Sequence, residues 1–389
     1  MKILYLTRND GTDFRGAKMC NSLVKLGHQV VNVGWDRTPD KRKELPLVRE
    51  VKLSILKRPG VFEQNSLEGW ADYVPHVVRS LCSEKPDAVQ AVNEETAALV
   101  LPFKRILYRW LIVDVYDSVT ANYYRTRWLD QAARVCRWLA NSGADCIVET
   151  APELQSMLGS FVRKSIIIEN APFDPGNEIA AEVPTSGPIR VALGGGLTKR
   201  RMGLDILVAA LDLLPQGSVV VEASGWLGDD YAKGVFAKHP AVKYQWLAKA
   251  PDFLKLAGSC DALLYLRSDA CESDYVASVR PNRLFEALAV GRPIIVNPGL
   301  AIGRWIEEDN LGIVLPRFDP PSLASAISSL KERRATLPQQ AGHMRKVFLT
   351  GHVWPVMEQR LGELYRKLGE RSMSSRAASL LQERSRSTT

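Results

Sequence analysis

Apolar and polar positions alternate in two series along the chain, separated by one interruption. Lys2 to Thr7 (KILYLT) is a short apolar run, Ala17 to Leu26 repeats its apolar residues at helical spacing, Gly27 closes that stretch, and Gln29 to Trp35 (QVVNVGW) is again strand-like. This predicts a β-α-β opening. Strand-like runs recur at Ala88 to Val92, Leu111 to Val115 and Cys146 to Val148, with helical stretches between them. Near-continuous apolar strands alternating with helices predict a parallel sheet covered on both faces.

Asp174 to Pro188, rich in Pro, Gly and acidic residues, breaks the pattern as a linker does. The second series predicts strands at Ile189–Leu193, Ser218–Glu222, Val242–Trp246, Ala262–Leu266, Pro293–Val296 and Gly312–Leu315. Helices are expected over Leu204–Leu214, Pro251–Ala257, Pro281–Val290 and Pro321–Arg333. The expected fold class is α/β, with two Rossmann-like, doubly wound parallel-sheet domains at 1–173 and 189–350, joined by a linker at 174–188 and facing a cleft. Ligands belong at the carboxyl ends of such strands. A final stripe, Trp354, Met357, Leu361, Leu364, Tyr365 and Leu368, predicts a helix at 351–368. The Ser- and Arg-rich residues 369–389 read as a flexible basic tail.

Composition narrows the class. A chain of 389 residues with 46% hydrophobic and 24% charged content suits a two-domain globular protein. No run approaches the ~18 to 20 apolar residues of a membrane span, and Met1 to Thr7 leads into a strand pattern instead of a signal peptide. A cytoplasmic setting is expected. The six cysteines are scattered without Cys-x-x-Cys, which excludes a disulfide framework or zinc ribbon and predicts reduced, mostly buried thiols. A net charge of +8 calls for an acidic partner. No nucleic-acid-binding signature accompanies it, so nucleic acid is not expected.

Four segments carry candidate chemistry. Gly194, Gly195 and Gly196 follow a strand and precede Lys199, Arg200, Arg201 and a helix, which describes either a diphosphate cradle or a tight turn with solvated cations. In Ser278 to Val296 (SVRPNRLFEALAVGRPIIV) one carboxylate, Glu286, sits in a mostly apolar helix that Pro281 opens and Gly291 closes. It is either bound to a ligand or paired with Arg283 at a wet edge beside Asn282. Asp114, Tyr116 and Asp117 follow the run Leu111 to Val113 and belong at a strand end. Tyr123 to Leu139 interleaves Arg125, Arg127, Arg134 and Arg137 with Tyr123, Tyr124, Trp128 and Trp138, which suits either a solvated basic helix face or an anionic membrane surface. Asp229, Asp230, Asp269, Glu272 and Asp274 read as loop residues, so no metal site is expected.

The run Pro281, Asn282, Arg283, Leu284, Phe285, Glu286, followed by Ala, Gly and Pro before an apolar strand, resembles the donor-binding segment of family 4 glycosyltransferases, retaining enzymes of GT-B fold. The likeness extends over the chain to about Leu368. It implies transfer of a sugar from a nucleotide-sugar donor to a glycan or lipid-linked acceptor, as in surface polysaccharide or lipopolysaccharide assembly. No cofactor or metal is implied, and the protein would stay in the cytoplasm or peripherally at the inner face of the membrane. Gly195, Gly196 and the Lys199–Arg201 cluster would hold the diphosphate, Glu286 the ribose, and Ser278, Asn282 and Arg283 the rest of the donor. Asp114, Tyr116 and Asp117 resemble the family's Asp-x-His-Asp element, the catalytic neighbour of the donor sugar. Asp13, Arg15 and Gly16, with Lys18, resemble its acceptor-side loop, and the last helix resembles one that crosses back to the first domain. Four positions depart from the family pattern. Leu197 and Met202 replace two phosphate-gripping cations, Tyr116 replaces the histidine, and Ser278 replaces the first Glu of the Glu, seven residues, Glu motif. The alternative is a degenerate relative that binds a nucleotide without turnover. A nicotinamide dehydrogenase lacks its glycine fingerprint and acidic ribose reader here.

Overall fold

The computed structural model describes residues 1–37, 46–59, 67–118, 127–176, 186–247 and 250–386. Two compact units divide it, one formed by Met1–Glu169 with Met357–Thr389 and the other by Asn170–Val356. The first holds a seven-stranded parallel sheet made of β1 (Lys2–Leu6), β2 (Gln29–Asp36), β3 (Lys52–Lys57), β4 (Ala88–Val92), β5 (Trp110–Asp114), β6 (Cys146–Glu149) and β7 (Ser165–Ile167). Their order is β3-β2-β1-β4-β5-β6-β7, so the strand order reverses beside β1. Ligands gather at that reversal in open α/β sheets.

The second unit repeats the plan with β8 (Ile189–Leu197), β9 (Val219–Leu227), β10 (Val242–Tyr244), β11 (Ala262–Tyr265), β12 (Ile294–Val296) and β13 (Gly312–Val314), in the order β10-β9-β8-β11-β12-β13. Its two faces are packed separately. Leu193, Leu204, Leu207, Phe236 and Ile327 lie in one cluster, while Phe253, Leu284, Phe285, Leu288 and Phe348 lie in the other. In the first unit, Leu4, Val33, Tyr73, Val89, Val113 and Ile147 form one face of the core.

Several elements were not expected. β3 is half-exposed with the pattern Lys-Leu-Ser-Ile-Leu-Lys, and β7 has three residues, so neither stands out by hydrophobicity. Helix Trp354–Arg386 runs on where a flexible tail at 369–389 was expected. Beyond Gly369 the sequence has no further Gly or Pro and carries Ala, Leu, Gln, Glu and Arg, all good helix formers. Pro281 is the cap of helix Asn282–Val290 instead of its first residue, and Gly291 takes the expected left-handed stop at φ 66°. Cys20, Cys146 and Cys260 are buried free thiols, whereas Cys82 is exposed. No described helix is long and apolar enough to cross a membrane.

Candidate functional site

In the second unit the glycine triplet is not a loop. β8 continues through Gly194–Leu197, paired residue by residue with Ser224–Leu227 of β9. The two backbones approach so closely there that a Cβ on Gly225 would stand 1.9 Å from the carbonyl oxygen of Gly195. Gly195 and Gly225 hold φ of 117° and 139°, which side chains disfavour. The turn comes later, at Thr198, whose hydroxyl accepts from the Arg201 N–H and caps the one-turn helix Lys199–Met202. Gly203, at φ 61°, then redirects the chain into Leu204–Asp212.

A cavity of about 280 Å³ opens beside Gly194, Gly195 and Gly196. Four arginines line it, Arg201, Arg267, Arg280 and Arg283, together with Tyr265 and Asn282. Each is held differently. Asp269 grips Arg267 through two hydrogen bonds of 2.6 and 2.9 Å, and Arg280 lies 4.2 Å over the ring of Trp305. Arg283 stacks 4.0 Å over Phe253 and is ion-paired to Glu286. A Cβ on Gly194 would meet Phe253 at 2.7 Å and the Arg283 guanidinium at 2.9 Å, so only glycine leaves room for that stack. Arg201 is exposed and enters no ion pair among the described residues. Glycine backbone framed by guanidinium forks is an environment for a phosphate-bearing ligand.

The donor-side residues named from sequence therefore separate. Gly195, Gly196, Arg201, Asn282 and Arg283 line this cavity. Glu286 stands behind it: burial pushes its carboxyl up, and Arg283 pulls it back down. Ser278 ends the preceding short helix, Asp274–Ser278, and does not line the cavity. Lys199 and Arg200 line a different hollow, beside Asp205 and Glu272, with which they pair at 3.7 and 2.8 Å. Sequence reasoning missed Arg267 and Arg280. Arg267 is the second residue after β11, and a cation at the carboxyl end of an apolar strand was the available signal.

In the first unit the strand-end residues meet one another. Asp114, fully buried, accepts from Arg15 at 2.8 Å and from Gln90 at 2.9 Å. Arg15 also donates to the Ile168 carbonyl, and Gln90 accepts from the Tyr365 hydroxyl. Tyr116 lies under the Arg15 guanidinium and hydrogen-bonds Tyr5, and burial with Asp13 and Asp114 nearby lifts its phenol far above the ordinary range. Asp13 caps helix Phe14–Lys25 through the Gly16 N–H, and Asp117 is exposed. Lys18 is lowered to about 7 by burial and the adjacent Arg15. Next to this network Glu149 is buried with one carboxylate oxygen unsatisfied, and burial and Glu94 raise it to about 8.

Tyr123, Tyr124 and Arg125 lie outside the described residues. The rest of that segment forms helix Arg127–Gly143, whose exposed side carries an apolar stripe beside the exposed Arg134. Trp128 and Trp138 are 68% and 60% exposed, on the same helix as exposed Val135 and Leu139. Arg134 pairs with Asp130, and Arg137 turns toward Glu94. Asp229 caps helix Asp230–Gly234, while Asp269 and Glu272 are spent on arginines. No cluster of three metal-ligating residues occurs among the described residues.

The two Rossmann-like units define a class, the GT-B fold of glycosyltransferases. Sucrose-phosphate synthase from Thermosynechococcus elongatus is similar over 95% of this chain and 99% of its own, with a TM-score of 0.73 at 14% identity. HepE of Anabaena, solved in complex with UDP and glucose, is similar over 94% and 99% at a TM-score of 0.69 and 16% identity. WaaG, a glycosyltransferase involved in lipopolysaccharide biosynthesis, is similar over 92% and 98% at 0.62 and 13%. No protein-family model and no curated protein matches the chain by sequence.

Proposed function

We propose that this protein is a glycosyltransferase that takes its sugar from a nucleotide-sugar and passes it to a glycan or lipid-linked acceptor. The observation that carries the reading is the cavity at the carboxyl end of β8, with three glycines and four arginines around it. A diphosphate seated there would accept from Arg201 and Arg280, with Arg267 and Arg283 held at the wall by their carboxylate partners. Charge develops on the departing diphosphate, so fixed guanidinium groups would supply most of the rate enhancement. The retaining, metal-independent course of family 4 and a place in surface polysaccharide or lipopolysaccharide assembly complete the proposal. Structural likeness to HepE, solved with UDP and with UDP-glucose, and to WaaG supports it. The Trp128–Trp138 stripe, on a chain of net charge +8, fits peripheral contact with an anionic membrane.

Calorimetry with UDP-, GDP- and dTDP-sugars tests the donor site. Binding of one of them, lost in Arg201→Ala/Arg280→Ala, is the expected result; no binding by the wild type overturns the reading. A second reading, nucleotide binding without turnover, is favoured by Asp114 and Tyr116, which are consumed by Arg15 and Tyr5. Release of free nucleotide from the bound donor in the presence of lipid-linked acceptors would dismiss it.

A further inference from the structure

A cavity of about 520 Å³ lies in the first unit, along the sheet-edge strand β7 and one face of helix Trp354–Arg386. It reaches Asp145 and Cys146 at the start of β6, whereas the Arg15–Asp114 network gathers at the carboxyl end of β5. Its lining is unusual in charge. Arg163, Lys164, Arg360, Lys367 and Arg371 face it against two carboxylates, Asp145 and Glu363. Asp145 is already neutralised by Lys104 at 2.8 Å and accepts from the Leu111 N–H.

Two of the cations are built into the wall. Lys164 donates to the carbonyls of Ser142 and Ala144 at 3.0 and 2.8 Å, closing the end of helix Arg127–Gly143, and Arg360 donates to the Ile167 carbonyl. The other three, Arg163, Lys367 and Arg371, are exposed and enter no ion pair among the described residues. Lys367 and Arg371 are four residues apart, so they stand on the same helix face as Leu364 and Leu368, which form the floor with Ile166 and Ile167. Burial pushes the Cys146 thiol up to about 12, so the floor carries no charge from it. Like charges held around one concavity repel unless an anion sits between them.

We propose that this cavity binds a phosphate ester, with the phosphate among Arg163, Lys367 and Arg371 and an apolar part of the ligand on Leu364, Leu368 and Ile166. Three cationic donors match the three peripheral oxygens of a phosphate better than a carboxylate. The exposed Trp128–Trp138 stripe belongs to the helix whose carboxyl end Lys164 closes. The assignment does not depend on whether the chain transfers a sugar.

The test uses the full chain, with glycerol 3-phosphate in calorimetry as the soluble probe. Cosedimentation with vesicles containing phosphatidic acid, a phosphate monoester, and with phosphatidylcholine vesicles as the reference without net charge, provides the lipid probe. The variant is Arg163→Ala/Lys367→Ala/Arg371→Ala. A charge-matched control, Arg79→Ala/Lys331→Ala/Arg333→Ala, removes three exposed cations that do not line the cavity. Binding of either phosphate probe, weakened about tenfold or more in the cavity variant and less than about twofold in the control, is the expected result. Binding of the vesicles, with or without glycerol 3-phosphate, identifies a lipid source, and binding of glycerol 3-phosphate alone a soluble ester. If neither probe binds the wild type, or if the control weakens binding as much as the cavity variant, the proposal fails. The double variant Lys367→Ala/Arg371→Ala, confined to an exposed helix face, decides the matter if the triple variant does not fold.

Discussion

Arg15 and Arg201 occupy equivalent places in the two units, each in the first helix after a strand at which the order of its parallel sheet reverses. Arg15 is 3% exposed and joined to Asp114, Ile168 and, through Asp114, to Gln90 and Tyr365. Arg201 is exposed at a cavity with no carboxylate of its own. Topology alone therefore does not make a ligand site. What separates the two is the counter-ion: Arg15 meets the buried aspartate that ends β5, whereas beside Arg201 the glycines Gly194–Gly196 of β8 offer only backbone.

The comparison breaks most sharply at Asp114. Asp114→Ala leaves Arg15 buried and unpaired, and losing one partner of such a pair costs about 3–5 kcal/mol. Thermal or denaturant unfolding should show a loss of that size, with donor affinity unchanged in the fraction that stays folded. A fully stable variant that has lost turnover would instead place Asp114 in the chemistry. Tyr365→Phe, which strips one hydrogen bond from Gln90, should cost only about 1–2 kcal/mol.

Arg201→Ala and Arg280→Ala come next, and they act on binding. Each removes a charged donor worth about 1.5–3 kcal/mol to an anion, roughly ten- to a hundredfold in affinity, and for Arg201→Ala the unfolding midpoint should stay unmoved. Gly194→Ala sharpens the same point. Its methyl group displaces the Arg283 side chain from Phe253, so donor affinity should fall while the sheet stays intact. Equal affinity in Gly194→Ala would remove Arg283 from the site.

Much of the fold was legible because its strands are buried on both faces and read as uninterrupted apolar runs, as in Ala88–Val92 and Ile294–Val296. β3 was not, since its outward positions are polar and its apolar ones half-exposed. At the site, the sequence singled out Gly195, Gly196, Arg201, Asn282 and Arg283 by proximity along the chain. It could not separate Arg201 from Lys199 and Arg200, because a single helical turn sends neighbours about 100° apart. Nor could it place Arg15 on Asp114, a pairing made across 99 residues of chain.

Glu149 gives a pH-dependent effect with a defined sign. Its carboxyl is raised from 4.5 to about 8, so the protonated form is the one the first unit prefers. Its contribution is complete below about pH 4.5 and is lost as pH rises through about 8. Glu149→Gln stays neutral throughout, and its stability relative to wild type should therefore climb between those limits by up to about 5 kcal/mol. A stability difference independent of pH would mean that Glu149 is ionised in the folded protein.

The smallest effect belongs to Lys199→Ala/Arg200→Ala. These residues adjoin Arg201 in sequence, and a diphosphate cradle read from sequence alone would include all three. In the structure Lys199 reaches Asp205 and the ring of Tyr231, and Arg200 reaches Glu272, both around a hollow separate from the glycines. Exposed pairs of this kind contribute little, and neither side chain lines the arginine cavity. Nucleotide-sugar affinity should then change by less than about threefold, against the ten- to a hundredfold expected for Arg201→Ala. A loss in the double variant as large as that of Arg201→Ala would mean that all three cations converge on the phosphates when the donor binds, and the contrast between the two hollows would disappear.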